Sequence, residues 1–430
     1  MPSSARICAY AVLRRVFERG AYADRALHAE AKDLDARERS LAMRLAYGAV
    51  QRKGTLDYLI ERLAERPPEK LDAPVLAALR LGLYELIYLS GAPDYAVVAD
   101  AVELAKAQGR AGHGLVNAVL RRAAREGSKA LLGGLSDGTP EQAAVLHSHP
   151  EWIARLWWEE LGSEQARALM AYDNEPGEVA LRANTLLTDA PALAAELASG
   201  RPSVKTHVDG DIPEALVLES PFDAHASEAW RAGRFMSQSR AAMLAARALG
   251  PRGGERVLDL CAAPGGKSTH LAALMEGGGE VLAVERNPRR AGVLVRTAQR
   301  LHASNVRVEV ADALLARPEG PVFDRVLVDP PCSGLGTLQA RADLRWRVTP
   351  EQISQMASTQ ATILGAGADA LRPGGVLVYS TCTISSTENE RCIATFLDSR
   401  SDFSLDGEPV QTLPHRDRTA GFFIARLRRS

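Results

Sequence analysis

Apolar residues at three- and four-residue steps run through the first 125 residues of the chain. The spacing is seen at Leu41, Leu45 and Ala49, at Leu56, Leu59, Ile60 and Leu63, and at Leu76, Leu79, Leu83 and Leu86. Because an α-helix has 3.6 residues per turn, this spacing places apolar side chains on one face of each helix. Pro67-Pro68 and Gly91-Ala92-Pro93 break the pattern into separate helices. This part of the chain is predicted to be an all-α bundle.

The pattern changes after residue 233 to short Val- and Leu-rich runs separated by helix-length stretches. The predicted strands are Arg256–Leu260, Glu280–Val284, Val306–Val310, Asp324–Val328 and Gly375–Ser380, followed by Phe422–Leu427. Such runs are typical of parallel strands that are buried on both faces. The C-terminal part is therefore predicted to be an α/β domain with a Rossmann-like sheet.

The region between these two parts has a mixed pattern. After a Gly- and Ser-rich joint, Gly127–Gly138, its predicted elements are helices at Pro150–Leu161 and Ser163–Tyr172, a strand at Val179–Asn184, a helix capped by Thr188 or Asp189, and an extended segment at Ala215–Leu218. We therefore expect a multidomain chain with an all-α domain at 1–128, a small α+β subdomain at 139–232 and an α/β domain at 233–430.

The composition is that of an ordinary globular protein, with 46% hydrophobic and 24% charged residues and a net charge of −1. The chain has no apolar run that could cross a bilayer, and residues 1–10 lack the apolar core of a secretion signal, so a cytoplasmic protein without a membrane partner is expected. The five cysteines are scattered without metal-ligand spacing, which argues against a disulfide framework and a bound metal. A monomer is expected.

A turn rich in small residues, DLCAAPGGKST (Asp259 to Thr269), follows the first strand of the α/β region. A helix that begins near Lys267 would present backbone N–H groups to a ligand. Glu285 follows the second strand, where doubly wound sheets place an acid that binds ribose hydroxyls, and Asp312 follows the third, where an adenine amino group would lie. The turn lacks the GxGxxG that wraps a pyrophosphate, which favours S-adenosylmethionine over a dinucleotide. The alternative is a purely structural turn.

Two cysteines follow the fourth and fifth predicted strands, in DPPCSG (Asp329 to Gly334) and YSTCT (Tyr379 to Thr383). Because these strands are neighbours in a doubly wound sheet, Cys332 and Cys382 are expected at the same rim, over the cofactor. Cys8 and Cys392 lie on helical patterns and are interpreted as small apolar core residues, as is Cys261 in the wall of the turn.

Five segments of the C-terminal half resemble, in order and spacing, the RsmB/NOP family of RNA cytosine-5 methyltransferases, the Sun/Fmu/NOL1/NOP2 group. They are VLDLCAAPGGKSTHLA (Val257 to Ala272), VLVDPPCSGLG (Val326 to Gly336), RADLRWR (Arg341 to Arg347), YSTCTISSTENE (Tyr379 to Glu390) and GFFIARL (Gly421 to Leu427). The resemblance implies a class I methyltransferase domain with S-adenosyl-L-methionine as methyl donor.

The resemblance also implies the roles of individual residues. Cys382 would add to C6 of a cytosine so that C5 can accept the methyl group, and Cys332 would assist release of the product. Because a thiol ordinarily has a pKa of about 8.5, its ionisation needs nearby positive charge, which Lys267 and the sulfonium can supply. Asp329 would reach the cytosine edge as well as the cofactor. The residues implied to bind the cofactor are Cys261, Ala262, Ala263, Pro264, Gly265, Gly266, Lys267, Glu285, Arg290, Asp312 and Asp329.

The N-terminal half resembles the NusB-type RNA-binding helical domain. The similar segments are GAYADRAL, LAMRLAYGAVQRKGTLDYLI, LRLGLYELIYL and GLVNAVLRR. Together with the C-terminal resemblance, they imply a bacterial 16S rRNA enzyme of the Sun/Fmu type, with cytosine 967 as target and small-subunit RNA, free or in an assembly intermediate, as partner. The alternatives are action on tRNA or another rRNA site, and a non-catalytic RNA-binding assembly factor. An oxidoreductase is disfavoured by the missing GxGxxG.

Two groups of arginines could meet RNA phosphates. One is Arg110, Arg121, Arg122 and Arg125, and the other is Arg286, Arg289, Arg290, Arg296 and Arg300. The alternative is that these arginines lie on a solvated helix face. This alternative is favoured for isolated arginines, whereas for Arg121, Arg122 and Arg125 the two interpretations are equally supported. The helical spacing of Trp152, Trp157 and Trp158 favours core packing over base stacking.

Overall fold

The computed structural model describes residues 1–107, 112–200, 203–220, 222–314 and 321–430. The chain divides into two units. The first consists of Met1–Pro176 with Leu338–Arg347, and the second of Gly177–Thr337 with Val348–Ser430. The predicted domain boundaries at 128/139 and 232/233 stay a prediction.

The first unit is helical, because its apolar residues recur at helical spacing and are buried between the helices. Its helices are α1 (Ser4–Arg19), α2 (Ala23–Glu30), α3 (Ala36–Gln51), α4 (Lys53–Ala64), α5 (Ala73–Tyr88), α6 (Asp94–Lys106), α7 (His113–Gly133), α8 (Pro140–Leu146), α9 (Glu151–Leu161) and α10 (Ser163–Tyr172). Leu45, Leu59, Leu79 and Leu83 are fully buried in one core. The predicted helical bundle is confirmed.

The predicted joint at Gly127–Gly138 is wrong over its first half. Gly127 has a φ of +77°, which interrupts the helical backbone of α7, but the chain is helical again up to Gly133. Gly and Ser therefore mark a kink here, since a glycine tolerates positive φ without ending the helix for good. The predicted helix at Ser163–Tyr172 is confirmed, and the fully buried Trp157 confirms the core interpretation for that tryptophan.

The RADLRWR segment belongs to the first unit, as part of Leu338–Arg347. It forms a 3-10 helix at Ala342–Trp346. The fully buried Arg345 guanidinium donates hydrogen bonds to the backbone carbonyls of Ser148 at 3.0 Å and Asp173 at 3.2 Å, and Trp346 Nε1 donates to the Val50 carbonyl at 2.8 Å. The two carbonyls compensate in part for the cost of burying the Arg345 charge.

The second unit begins with a small antiparallel sheet. Its elements are β1 (Ala180–Ala183), α11 (Ala190–Ser199), β2 (Thr206–Val208), β3 (Ala215–Leu218), α12 (Glu228–Arg231) and β4 (Phe235–Ser237), with strand order β2-β3-β1-β4. The Asp189 side chain accepts a hydrogen bond from the Ala192 N–H at the start of α11. Of the two predicted caps, Thr188 and Asp189, the N-cap is therefore Asp189. This region is the predicted α+β part of the chain.

The remainder of the second unit is built around an eight-stranded sheet. Its elements are α13 (Arg240–Leu249), β5 (Arg256–Leu260), α14 (Gly266–Leu274), β6 (Glu280–Val284), α15 (Pro288–Arg300), β7 (Val306–Glu309), β8 (Phe323–Val328), α16 (Pro350–Ala370), β9 (Leu371–Thr381), α17 (Glu390–Ser399), β10 (Phe403–Leu405), β11 (Val410–Gln411), α18 (Pro414–Asp417) and β12 (Phe423–Arg429). The strand order is β10-β12-β9-β8-β5-β6-β7, with β11 paired to β12.

The central strands of this sheet confirm the predicted α/β fold. The pairs β7-β6, β6-β5, β5-β8 and β8-β9 are parallel, and β12 is antiparallel to β9. Residues of β5, β8 and β9 such as Leu258, Val326 and Leu377 are buried. The predicted adjacency of the fourth and fifth strands is observed, since β8 pairs with β9. Among the described residues, no helix is both long and apolar enough to cross a membrane.

Candidate active site

The turn between β5 and α14 is shaped by residues with a left-handed backbone. Cys261 has a φ of +65° and Gly265 a φ of +101°. A Cβ atom at Gly265 would also lie 3.1 Å from Leu294 Cγ, so a larger residue there would be both strained and crowded. Helix α14 begins at Gly266, directly after this turn, with no side-chain cap on its first N–H groups. These groups face outward from the helix start and can serve a ligand.

A cavity of about 540 Å³ lies beside the turn, at the carboxyl ends of the parallel strands. Its wall includes Cys261, Glu285, Arg290 and Asp312, four of the residues predicted to bind a cofactor. The volume suits a ligand of nucleoside size. The turn beside this cavity is formed by Ala262, Ala263, Pro264, Gly265 and Gly266, which do not line it.

The acid at the end of β6 is held in place by its surroundings. Glu285 is 3% exposed, and its Oε1 accepts a hydrogen bond from the Asn287 N–H at 2.9 Å. Arg290 donates to the Ala263 carbonyl at 2.7 Å, and its guanidinium lies 3.6 Å from Glu285 Oε2. Arg290 therefore ties the turn to the acid, which leaves the Glu285 carboxylate fixed at the cavity wall.

Lys267 on α14 and Asp329, which follows β8, form an ion pair, with 2.8 Å between Lys267 Nζ and Asp329 Oδ2. Asp329 Oδ1 accepts a hydrogen bond from Ser380 Oγ at 2.9 Å. Burial opposes the charge on Lys267, but Asp329, with a smaller contribution from Cys382, outweighs it and keeps the pKa of Lys267 above its ordinary value. The Lys267 ammonium group is thus close enough to Cys382 to interact with its charge.

The two predicted cysteines meet at the carboxyl ends of β8 and β9. Cys332 Sγ and Cys382 Sγ are 3.3 Å apart, and both residues are partly exposed. The hydrogen bond with Cys382, together with burial, holds the pKa of Cys332 well above its usual value. Either thiol can donate the hydrogen bond that joins the two sulfurs. The prediction that these sulfurs converge at one rim agrees with this geometry.

The other three cysteines are Cys8, Cys261 and Cys392, and all three are free thiols. Cys8 and Cys392 are buried on α1 and α17, as expected for small apolar residues. Burial raises the pKa of Cys8 to about 11 and that of Cys261 to about 12. None of these thiols is poised to ionise. Among the described residues, no group of three or more His, Cys, Asp or Glu side chains is arranged to hold a metal.

Arg182 contributes to the turn and was not predicted from the sequence. It lies on β1 and is 1% exposed. Its guanidinium donates to the Gly266 carbonyl, to Thr269 Oγ1 at 2.9 Å and to Gln238 Oε1 at 2.7 Å. The signal was a single charged residue within an otherwise apolar strand, which requires buried partners that the sequence does not identify.

The candidate RNA-binding arginines differ in their surroundings. Arg122 is paired with Glu126 at 3.3 Å, whereas Arg121 and Arg125 line a surface groove on the first unit. Arg286, Arg289, Arg290 and Arg296 are exposed. Arg300 is half-buried, and its guanidinium lies 3.4 Å from the centre of the Trp230 ring and donates to the backbone carbonyls of Trp230 and Phe235. Arg110 lies outside the described residues.

Three family models match the chain. The model of the 16S rRNA methyltransferase RsmB/F matches residues 246–428, the NusB family matches residues 3–125, and the ferredoxin-like domain of RsmF/B-like methyltransferases matches residues 149–225. The predicted classes of the N-terminal, middle and C-terminal parts are thereby confirmed.

The similarity to known proteins extends over nearly the whole length of this chain. A probable ribosomal RNA small subunit methyltransferase B from Synechocystis sp. is 35% identical over 99% of this chain and 100% of its own length. The protein of the same description from Bacillus subtilis is 34% identical over 99% of both chains. The crystal structure of PH0851 is similar over 100% of this chain and 99% of its own, with a TM-score of 0.82 and 27% identity.

Asp259 is a buried acid on β5, just before the turn between β5 and α14. It is 1% exposed, and its Oδ2 accepts a hydrogen bond from Ser268 Oγ at 2.6 Å. Burial raises the pKa of Asp259 from 3.8 to about 7, against the opposing effect of the Ser268 hydrogen bond. At a pH between 3.8 and about 7, the folded protein therefore keeps a proton on Asp259 that the unfolded chain has released.

This proton makes a pH-dependent contribution to stability. The contribution is fully present below the unfolded pKa of 3.8 and is lost as the pH rises through about 7; it amounts to at most about 4 kcal/mol. Asp259→Asn keeps the acceptor for Ser268 without the charge, so its Tm advantage over wild type should grow between about pH 4 and pH 8 in calorimetry. The exposed Asp398→Asn should follow the wild-type profile. A constant difference between Asp259→Asn and wild type over this range would contradict the prediction.

Proposed function

Because this chain belongs to the RsmB/F family of 16S rRNA methyltransferases, we propose that it transfers a methyl group from S-adenosylmethionine to C5 of a cytosine in 16S rRNA, through a covalent adduct on Cys382. Methylation of ribosomal RNA with this donor follows from the family. The cytosine C5 position, cytosine 967 as the target and the cysteine adduct are the parts that we propose. The proposal includes a cytoplasmic monomer that acts on free small-subunit RNA or an assembly intermediate.

The observation that carries the proposal is the 3.3 Å separation of Cys332 Sγ and Cys382 Sγ. C5 of cytosine is a poor nucleophile until a thiolate adds to C6 and makes C5 part of an enamine. We assign the bond to C6 to Cys382, as the family resemblance implies, and the proton to Cys332, whose pKa is raised by the hydrogen bond with Cys382 and by burial. The two cysteines then have different roles: Cys382 forms the bond to C6, and Cys332 holds a proton beside it.

The surrounding charges support this division of roles. Lys267 lies near Cys382 and favours its thiolate form. Asp329 is oriented by Lys267 and Ser380 and lies at the end of β8, three residues before Cys332. A carboxylate fixed in this way can accept a hydrogen bond from the amino group of a cytosine. After methyl transfer the C5 proton must pass to a base, and Cys332 can serve once it has given its own proton to the departing Cys382 sulfur. The C5–H electron pair then re-forms the C5–C6 double bond as the Cys382 sulfur leaves.

The cavity fits S-adenosylmethionine in size and in the chemistry of its wall. Glu285 can accept hydrogen bonds from ribose hydroxyls, and Asp312 can accept one from an adenine amino group. The donor supplies an electrophilic methyl group when bound. The turn from Cys261 to Gly266 and the Arg182 guanidinium fix the start of α14 beside it.

Substitution of each cysteine should give a different result. Cys382→Ala removes the sulfur that adds to C6, and we expect methyl transfer to fall by at least about 1,000-fold. Cys332→Ala leaves that sulfur but removes the proton beside it, so the adduct should form and break down slowly. On a denaturing gel, Cys332→Ala protein should carry linked RNA. Absence of this band together with an active Cys382→Ala protein would reverse the assignment. Cys8→Ala is the matched control and should behave as wild type in both assays.

The proposed target is tested in cells. We expect 5-methylcytosine at position 967 of 16S rRNA in cells that carry the gene, its absence when the gene is deleted, and its return when the gene, but not the Cys382→Ala form, is reintroduced. Bisulfite sequencing of 16S rRNA and tRNA measures this. A missing mark in tRNA or at another rRNA site would support a different substrate, and an unchanged pattern would support a non-catalytic assembly factor.

A further inference from the structure

Behind the two cysteines lies a buried network that none of the proposed chemical steps uses. Its centre is Glu388, which is 0% exposed and belongs to the segment between Cys382 and α17. Ser333, the residue after Cys332, and Thr383, the residue after Cys382, both contact it and are also buried. One carboxylate therefore touches the chain immediately next to each cysteine.

The hydrogen bonds divide between the two oxygens of the carboxylate. Glu388 Oε1 accepts from the Ser333 backbone N–H at 2.8 Å and from Gln360 Nε2 at 2.9 Å. Glu388 Oε2 accepts from Ser333 Oγ and, at 3.4 Å, from Thr383 Oγ1. The Ser333 and Thr383 hydroxyl oxygens are themselves 2.6 Å apart. Several donors on one carboxylate are enough to hold it in a buried position.

The network extends to the residue on the other side of Cys332 as well. Gln360 Nε2 donates to the Pro331 carbonyl at 2.9 Å, so the loop is held both before and after the cysteine. On the Cys382 side, Asn389 Nδ2 donates to the Thr383 carbonyl at 3.1 Å. The Gly336 N–H also donates to the Cys382 carbonyl at 3.1 Å. The two cysteine-bearing loops are thus joined by side chains, in addition to the pairing of β8 with β9.

We propose that Glu388 is a positioning residue that clamps the loop of Cys332 to the loop of Cys382 and so sets the distance between the two sulfurs. It acts through Ser333 and Thr383 and does not touch the reacting atoms. The effect of Glu388 on catalysis rests on the proposed function, whereas its effect on the distance between the two sulfurs does not. The sulfur distance can be measured without any methyl transfer.

The rate of disulfide formation between Cys332 and Cys382 reports their distance in the folded protein. The probe is diamide, which takes up the two hydrogens that the thiols lose when they form the disulfide. Peptide mapping by mass spectrometry follows that one disulfide among the five cysteines. Glu388→Ala removes both oxygens that accept hydrogen bonds from Ser333 and Thr383, and we expect the reaction to slow at least about tenfold, because small displacements of paired reactive groups are costly.

Two variants separate clamping from a general loss of stability. Glu214 is another buried carboxylate of the same unit, 4% exposed and hydrogen-bonded to His270 at 2.7 Å, so Glu214→Ala is the matched control and should leave the disulfide rate nearly unchanged. Glu388→Gln keeps one carbonyl oxygen for the two N–H donors, and its amide can donate to the Ser333 hydroxyl. It should therefore restore most of the rate. Ser333→Ala, a smaller change in the same network, gives a second measurement if Glu388→Ala does not fold.

The outcomes are distinct. An unchanged disulfide rate in folded Glu388→Ala, or in Ser333→Ala if the former does not fold, overturns the proposal, as does an equal slowing in Glu214→Ala or no recovery in Glu388→Gln. In the methylation assay, Glu388→Ala should lower kcat with little change in KM for S-adenosylmethionine. If wild type does not methylate cytosine at all, the proposed function fails, whereas the disulfide rates still decide whether Glu388 clamps the loops.

Discussion

Parallel pairing of β8 with β9 places Val328 beside Tyr379, so that the residues leaving both strands emerge at the same end of the sheet. Asp329 and Cys332 leave β8 there, and Ser380 and Cys382 lie at the end of β9. Fifty positions of sequence separate the cysteines, yet their sulfurs are 3.3 Å apart. The candidate site depends on this pairing, because neither loop alone carries two thiols, a fixed carboxylate and a cation.

The charged side chains near this end of the sheet are held in position by buried or partly buried partners. Lys267 is held by Asp329, and Asp329 is also held by Ser380, so one ion pair links α14, β8 and β9. Arg182 brings a second buried cation from the small antiparallel sheet to the start of α14. In a low-dielectric interior, each of these charges needs its partner, since an unpaired one is costly. The partners therefore hold the turn, the acid and the cysteines in one arrangement.

Much of the fold could be predicted because its signals are local. Helical spacing identified the bundle, and Val- and Leu-rich runs identified the parallel strands to within a few residues. Strands β2, β4, β10 and β11 were missed because two or three residues are too short to show a period. Of the site, the cysteines and the cavity acids follow strand ends and could be found by that rule. Arg182 and Glu388 could not, because their roles depend on partners distant in sequence. The resemblance of the RADLRWR segment to the family was found from the sequence, but its packing in the first unit could not be predicted from it.

The central claim is that Cys382, beside a protonated Cys332, forms the bond to the cytosine ring. RNA that carries 5-fluorocytosine at the target position tests it most directly, because fluorine cannot leave C5 as a proton does and the sulfur cannot be expelled after methyl transfer. Protease digestion and mass spectrometry of the trapped complex should find the methylated nucleotide on the peptide that contains Cys382. A nucleotide on the Cys332 peptide, or no covalent complex in the presence of S-adenosylmethionine, would contradict the account.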